Sequence, residues 1–254
     1  MIKELIRQHG KDKINTLTKY PSILTLHKLG EREKLTNELT TPLEGEQLFA
    51  TEKIDGTNVR IICLGDEYLI GSREFILHFC HDLYYDLTQG IVDGLKELQV
   101  KFPSTTHLSV IYGELFGGKT SANAKWYGMG KIGFRVFDVA EYDDLSVLNE
   151  SREAISHWRE HETETGIVYG QKFLTRKNIT ARFSELQLVP EVNFEFTGLG
   201  HAEILESLKR FIPSTKVALT ENALGKAEGI VLRNEERKKI VKVRFEDYER
   251  TLKK

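Results

Sequence analysis

Between Gln47 and Gly71 three runs of strand-forming residues follow one another, separated by Asp55-Gly56-Thr57 and Gly65-Asp66-Glu67. Aspartate beside glycine is a turn signal, and the β-branched character of Asn58 to Leu64 is that of a buried strand. The pattern predicts strands near Gln47 to Ile54, Asn58 to Leu64 and Tyr68 to Gly71. Asp55-Gly56 reads as a hairpin turn that leaves Lys53 at a strand end. A lysine in so apolar a run is costly to bury unless its amine has a task. Desolvation and neighbouring cations favour the neutral amine, which is the nucleophilic form. A lysine snorkelling to the surface before a turn fits the same stretch.

The rest of the chain reads as an α+β pattern dominated by antiparallel strands. Residues 1–45 predict a short helix and turn-rich connections, with Thr40-Thr41-Pro42 entering the first strong strand. Helices are expected at Ile91 to Lys101, Glu150 to Glu162, Ile179 to Leu188, and Ala202 to Phe211 ahead of Pro213. Strands are expected at His107 to Leu115, Ile132 to Val139, Gly229 to Arg233 and Lys239 to Phe245. With 254 residues, no internal repeat and no linker composition, a single domain over 1–254 is expected, residues 1–45 forming an N-terminal extension.

Charge and cysteine content narrow the setting. A formal net charge of −2 argues against a globally basic nucleic-acid binder but leaves room for a local basic groove. Two cysteines, Cys63 and Cys80, make no disulfide framework, and no apolar run is long enough to span a bilayer. A cytoplasmic protein without membrane association is the expectation.

Six segments, all at predicted strands, strand ends or turns, follow in order. They are Lys53-Ile54-Asp55-Gly56-Thr57-Asn58, Ser72-Arg73-Glu74, Tyr112-Gly113-Glu114-Leu115, Phe134-Arg135-Val136-Phe137-Asp138, Glu228-Gly229-Ile230-Val231 and Val241-Lys242-Val243-Arg244. The ordered set resembles the covalent nucleotidyltransferase superfamily of polynucleotide ligases and mRNA capping enzymes, most of all the nick-sealing RNA ligase 2 type. The resemblance implies the ligase adenylation fold, with antiparallel sheets enclosing a nucleotide and helices outside. It implies an ATP-dependent RNA ligase that forms a lysyl-AMP, passes AMP to an RNA 5′-phosphate and seals it to a 3′-OH. Its partners would be ATP and RNA or RNA/DNA ends.

Within that resemblance Lys53 is the nucleophile and Lys242 the cation at the α-phosphate. Arg73 suits a phosphate or ribose through its fixed fork of donors, and Glu114 suits a ribose hydroxyl. Phe134 is the adenine-stacking aromatic, with Phe137 its competitor three positions away and on the opposite strand face. Glu52, Ile54, Asn58 and Arg244 complete the nucleotide-binding set. Glu228 and Asp55 are the candidate ligands for Mg²⁺ or Mn²⁺, which take oxygen donors and neutralise phosphate charge.

Two departures from the family pattern matter. Asn58 stands where DNA ligases and capping enzymes carry arginine, which favours an RNA ligase over a DNA ligase or a guanylyltransferase; Arg60 is not a presumed substitute, and Lys53, Glu228 and Lys242 together speak against a weakly catalytic nucleotide- or RNA-binding module. Arg244 stands where a second lysine is usual, keeping charge but changing geometry. The chain ends ten residues beyond Arg244, so a tail from Phe245 to Lys254 and no C-terminal accessory domain are expected, which leaves room for a partner chain to supply one. Three further signals are set aside. His78-Phe79-Cys80-His81 has no second cluster at zinc spacing, His157 and His161 lack the H-E-x-x-H order, and Gly117-Gly118-Lys119-Thr120 lacks the first P-loop glycine.

Overall fold

Apolar residues on both faces of a strand demand cover on both sides, and Thr57–Gly65 (β5) is built that way. Val59, Ile61 and Cys63 enter one core while Ile62 enters another. A computed structural model describes residues 1–43, 47–80, 90–163, 166–221, 223 and 225–253. The chain divides into two compact units assembled from separated segments: residues 1–21, 57–115 and 132–188 in the first, and 22–56, 116–131 and 189–254 in the second.

The first unit holds a six-stranded sheet. Its order is Lys172–Phe173 (β12), Ile132–Tyr142 (β9), Thr105–Gly117 (β8), β5, Glu67–Ser72 (β6) and Ile76–Phe79 (β7). β5 pairs antiparallel with β6 and β8, and Gly65-Asp66 forms the expected turn to β6. Helices Ile91–Glu97 (α3) and Arg176–Arg182 (α5) pack on one face through Ile91, Val92, Leu95 and Ile179. Helices Ile2–His9 (α1), Lys11–Leu17 (α2) and Arg152–Arg159 (α4) cover the other through Ile2, Ile14, Leu17 and Ile155. Glu160–Thr163 (β10) and Gly166–Tyr169 (β11) make a separate antiparallel pair.

The second unit is built on a five-stranded sheet ordered Leu24–Thr25 (β1), Ile240–Arg244 (β15), Gly229–Arg233 (β14), Phe49–Lys53 (β4) and Glu191–Val192 (β13). Alternation sends Ala50, Ile230, Leu232, Val241 and Val243 into one core. Helices His201–Phe211 (α6) and Phe245–Leu252 (α7) close that core with Ile204, Leu208, Phe245 and Tyr248. His27–Leu29 (β2) and Leu35–Leu39 (β3) form a further antiparallel pair.

Several local expectations change. Asp55-Gly56 is not a hairpin turn, because β4 and β5 lie in different sheets. The Asp55 N–H goes to the Tyr127 hydroxyl and its carboxylate to Asn123, so neither closes a two-strand turn. Among the described residues before Phe49 stand two α-helices, a short 3-10 helix at Glu31–Glu33 and three short strands rather than one helix and turns. The helix expected from Ile179 begins at Arg176, where the Thr175 hydroxyl accepts the Asn178 N–H, and it ends at Arg182. Helix α4 starts after its Ser151 cap and gives way to β10 at Glu160. Phe245–Leu252 is helix rather than tail, with Phe245 and Tyr248 buried on one side.

His27 ties β2 to α7. Its Nε2 lies 3.0 Å from the Leu199 carbonyl, which can only accept, so Nδ1 is left to accept from the Tyr248 hydroxyl at 2.9 Å. Burial, reinforced by His201, holds the His27 imidazole below its ordinary range; burial does the same to His78. A depressed histidine pKa means the unfolded chain binds the proton first, so this stability is present above about pH 6.5 and is lost as pH falls below it. The urea midpoint is therefore expected to fall between about pH 7.5 and about pH 5.5, and to fall less in His27→Gln. A midpoint flat over that window in the parent chain contradicts the assignment.

Candidate functional site

Register in the second unit's sheet gathers the charged residues on one face. Gly229 pairs with Lys53 on one side and Arg244 on the other. Two positions along, Val231 pairs with Thr51 and Lys242, and Lys242 with Thr25. Residues two apart, and those directly opposite, share a face. Lys53, Lys242 and Arg244 therefore project from the same side of β4 and β15, opposite the core.

Lys53 donates to Glu228 at 2.6 Å. Burial pushes the Glu228 carboxyl above its ordinary range; the nearby Lys53 pulls it back and the charge of Asp55 adds to the rise. The Arg244 guanidinium stands 4.0 Å from the other Glu228 oxygen and is held bidentate by Asp247, at 2.8 Å for each bond. Burial works against the Arg244 charge, and Asp247 more than offsets it. Asp247 also accepts from Arg250 at 2.9 Å, so the start of α7 aims Arg244. Gly229 makes this closeness sterically allowed. Its φ is 157°, and a Cβ there would lie 2.1 Å from the Val243 carbonyl oxygen.

The residues flanking Lys53 are fastened elsewhere in the unit. Glu52, on the core face and 1% exposed, accepts from the Thr215 hydroxyl and from the Lys216 N–H at 2.8 Å. Ile54 is buried, and the N–H of Asp55 donates to Tyr127 Oη at 2.7 Å. Asn123 donates to the Asp55 carboxylate. Burial first, then the charges of Glu52, Asp55 and Glu228, drive the Tyr127 hydroxyl well above its usual range. Tyr127, Thr215 and Asp247 are the functional neighbours that sequence reading missed. Only Asp247 left a signal, three residues after Arg244 at a helix start.

The remaining predicted residues lie in the first unit. Asn58 and Glu114 are direct cross-strand partners on β5 and β8, and the Asn58 side-chain oxygen is buried without a protein partner. Phe134 lies over Gly113, where a Cβ would sit 2.4 Å from its ring, and packs with the core that holds Val136. Phe137 instead packs toward Tyr20 in the other core, so the two aromatics do take opposite faces. Arg73 is largely exposed, 3.9 Å from Glu74. Arg60 does not stand in for the missing arginine. It is fully buried against Ser72, Asn15 and Thr18, and burial draws its guanidinium down to about 10.

Among the described residues no group of three or more His, Cys, Asp or Glu gathers as a metal site. His78 and Cys80 end one strand region, and His81 lies outside the described residues. His157 and His161 stack at 4.5 Å, one on α4 and one on β10. Asp55 and Glu228 still suit a Mg²⁺-type ion, which is held by one or two carboxylates plus substrate oxygens. The charge of Asp55 adds to the rise of the Glu228 carboxyl, a repulsion of the kind a cation relieves.

The RNA ligase family model matches residues 46–245. Comparison with curated proteins finds no match. A Naegleria gruberi RNA ligase solved with PPi is similar at TM-score 0.51 and 16% identity, over 93% of this chain and 58% of that one. The apo form of a mutant Naegleria gruberi RNA ligase gives 0.51 and 16%, over 92% and 57%. At such identity the likeness shows the fold, and it is the expected nucleotidyltransferase fold. The chain spans less than two thirds of those structures' length.

Two substitutions test the geometry. Gly229→Ala forces β14 from β15 and is expected to cost at least about 1–3 kcal/mol, read as a lower Tm by calorimetry. Tyr127→Phe leaves the Asp55 N–H without its acceptor and is expected to cost about 1–3 kcal/mol by urea unfolding. Parent-like stability in either variant would show that the corresponding contact is absent in solution.

Proposed function

The chain belongs to the RNA ligase family, and from that premise we propose that it is an ATP-dependent RNA ligase domain acting through Lys53. The observation that carries this reading is the placement of Lys53 at 2.6 Å from Glu228, on the same sheet face as Lys242 and Arg244. A nucleophilic amine, an acid and two cations on one rigid sheet suit attack on a phosphate chain.

Attack needs the neutral amine, so the proton that Lys53 donates to Glu228 must leave, and that carboxylate is within reach to take it. The Nζ lone pair then forms a bond to the α-phosphorus while the bond from that phosphorus to the bridging oxygen breaks, releasing pyrophosphate. The similar Naegleria ligase was solved with PPi, the leaving group of this step. Lys242 is assigned to the α-phosphate oxygens, where charge builds. Arg244, aimed by Asp247, is assigned to the phosphates as well. A divalent ion held by Glu228 and Asp55, Mg²⁺ or Mn²⁺, would supply charge neutralisation at the phosphates.

In the steps that follow, an RNA 5′-phosphate oxygen displaces Lys53 from the AMP phosphorus, and a 3′-OH then displaces AMP to form the phosphodiester. Asn58, Arg73, Glu114 and Phe134 are proposed nucleotide contacts on the strength of the family resemblance. Glu52 is proposed to serve the nucleotide indirectly, by holding Thr215 and Lys216.

Incubation with Mg²⁺ and α-labelled ATP is expected to leave covalent label on the protein. Lys53→Ala should abolish it, and Lys242→Ala should slow it by about 10²–10³-fold. Label from GTP but not ATP would overturn the nucleotide assignment. Absence of label with every nucleotide would overturn the enzymatic reading.

A further inference from the structure

Residues 117–131 carry Lys119, Lys125 and Lys131 and no aspartate or glutamate, in a chain whose net charge is −2. The segment leaves β8 and returns on itself, Gly118 N–H reaching the Gly128 carbonyl at 3.4 Å. It is fixed to residues 219–225 by Leu219 N–H to the Tyr127 carbonyl at 2.6 Å and Gly225 N–H to the Trp126 carbonyl at 3.0 Å. Such a loop, pinned at its ends and along its length, presents its side chains in set positions.

Those side chains form an aromatic and basic surface. Trp126 is half-buried, Lys119, Lys125, Lys131 and Lys226 are exposed, and Met129 is 79% exposed. The Lys226 ammonium stands 5.0 Å from the Trp126 ring centre. The nearby Asp55 carboxylate already accepts from Asn123.

We propose that the Gly117–Lys131 loop, with Lys226, is a docking surface for a single-stranded segment of the RNA substrate. Trp126 offers a flat face to a base, and the four lysines neutralise phosphates on either side of it. Stacking with flanking cations is how proteins hold single strands without reading sequence. The charge of the loop, three lysines and no acid with Lys226 over Trp126, suits a polyanion, and the indole suits one that carries flat bases, as a nucleic-acid strand does and an acidic protein does not. The proposal rests on the RNA ligase reading, and its test is independent of nucleotide chemistry.

The full chain is titrated into end-labelled single-stranded oligoadenylate and followed by anisotropy. Trp126→Leu is expected to weaken binding roughly five- to tenfold, while Trp126→Phe restores it to near the parent value. Lys125→Ala with Lys226→Ala should lower the salt dependence of binding by about two counterions, with the rate of labelling by α-labelled ATP unchanged. In a Trp158→Phe background, RNA should quench the emission of Trp126, the remaining indole. Parent-like affinity in Trp126→Leu and in the double lysine variant, with no quenching, would overturn the proposal. RNA binding that obeys these expectations in a protein that takes no label from ATP would uphold the surface and overturn the ligase reading instead.

Discussion

A lysine amine partly withdrawn from water needs a counter-charge held in place, and in this chain Glu228 is that group. Everything notable about the second unit's sheet serves the encounter. The strand β14 delivers Glu228 just before its first residue, Gly229 lets the β15 backbone come close, and the register then sets Arg244 beside the pair. The opposite face is wholly occupied by the core of Ile230, Val241 and Val243 with α6 and α7. A rigid apolar backing gives the charged face little freedom to rearrange, which is the condition for preorganised electrostatics.

Around that pair the chain builds a brace from residues without obvious chemistry. Glu52 faces inward and holds Thr215 and Lys216; Asp55 faces the Asn123–Tyr127 segment. Lys53 is thus fixed from both sides along its own strand, while Asp247 fixes Arg244 from the next element. The polar residues nearest Lys53 divide into those facing the charged surface and those that hold the backbone beneath it.

Much of this was legible in the sequence because the strands carrying it announce themselves. β-Branched runs bounded by glycine, or for β15 by the polar turn Asn234-Glu235-Glu236-Arg237, located β5, β14 and β15 to within a residue or two, and the ordered motifs pointed to the family. What failed was local grammar read without its tertiary context. Asp55-Gly56 has the composition of a hairpin turn, yet its polar groups are claimed by Asn123 and Tyr127, about seventy residues away. The α7 helix was read as a tail because eight residues carry little periodic signal. Thr215 was invisible because nothing in its surroundings betrays that a buried glutamate 163 residues earlier will seek it.

The separation of Lys53 from Glu228 along the chain, 175 residues, also has a consequence in time. During synthesis the lysine emerges long before its carboxylate, and so does Glu52, the partner of Thr215. At ordinary translation rates the interval is on the order of 10–35 s. Throughout it β4 lacks β14, the neighbour that pairs with it residue by residue. A nascent chain therefore carries a lysine without its counter-charge, and the charged face is completed with the closing strands rather than with the motif that contains Lys53.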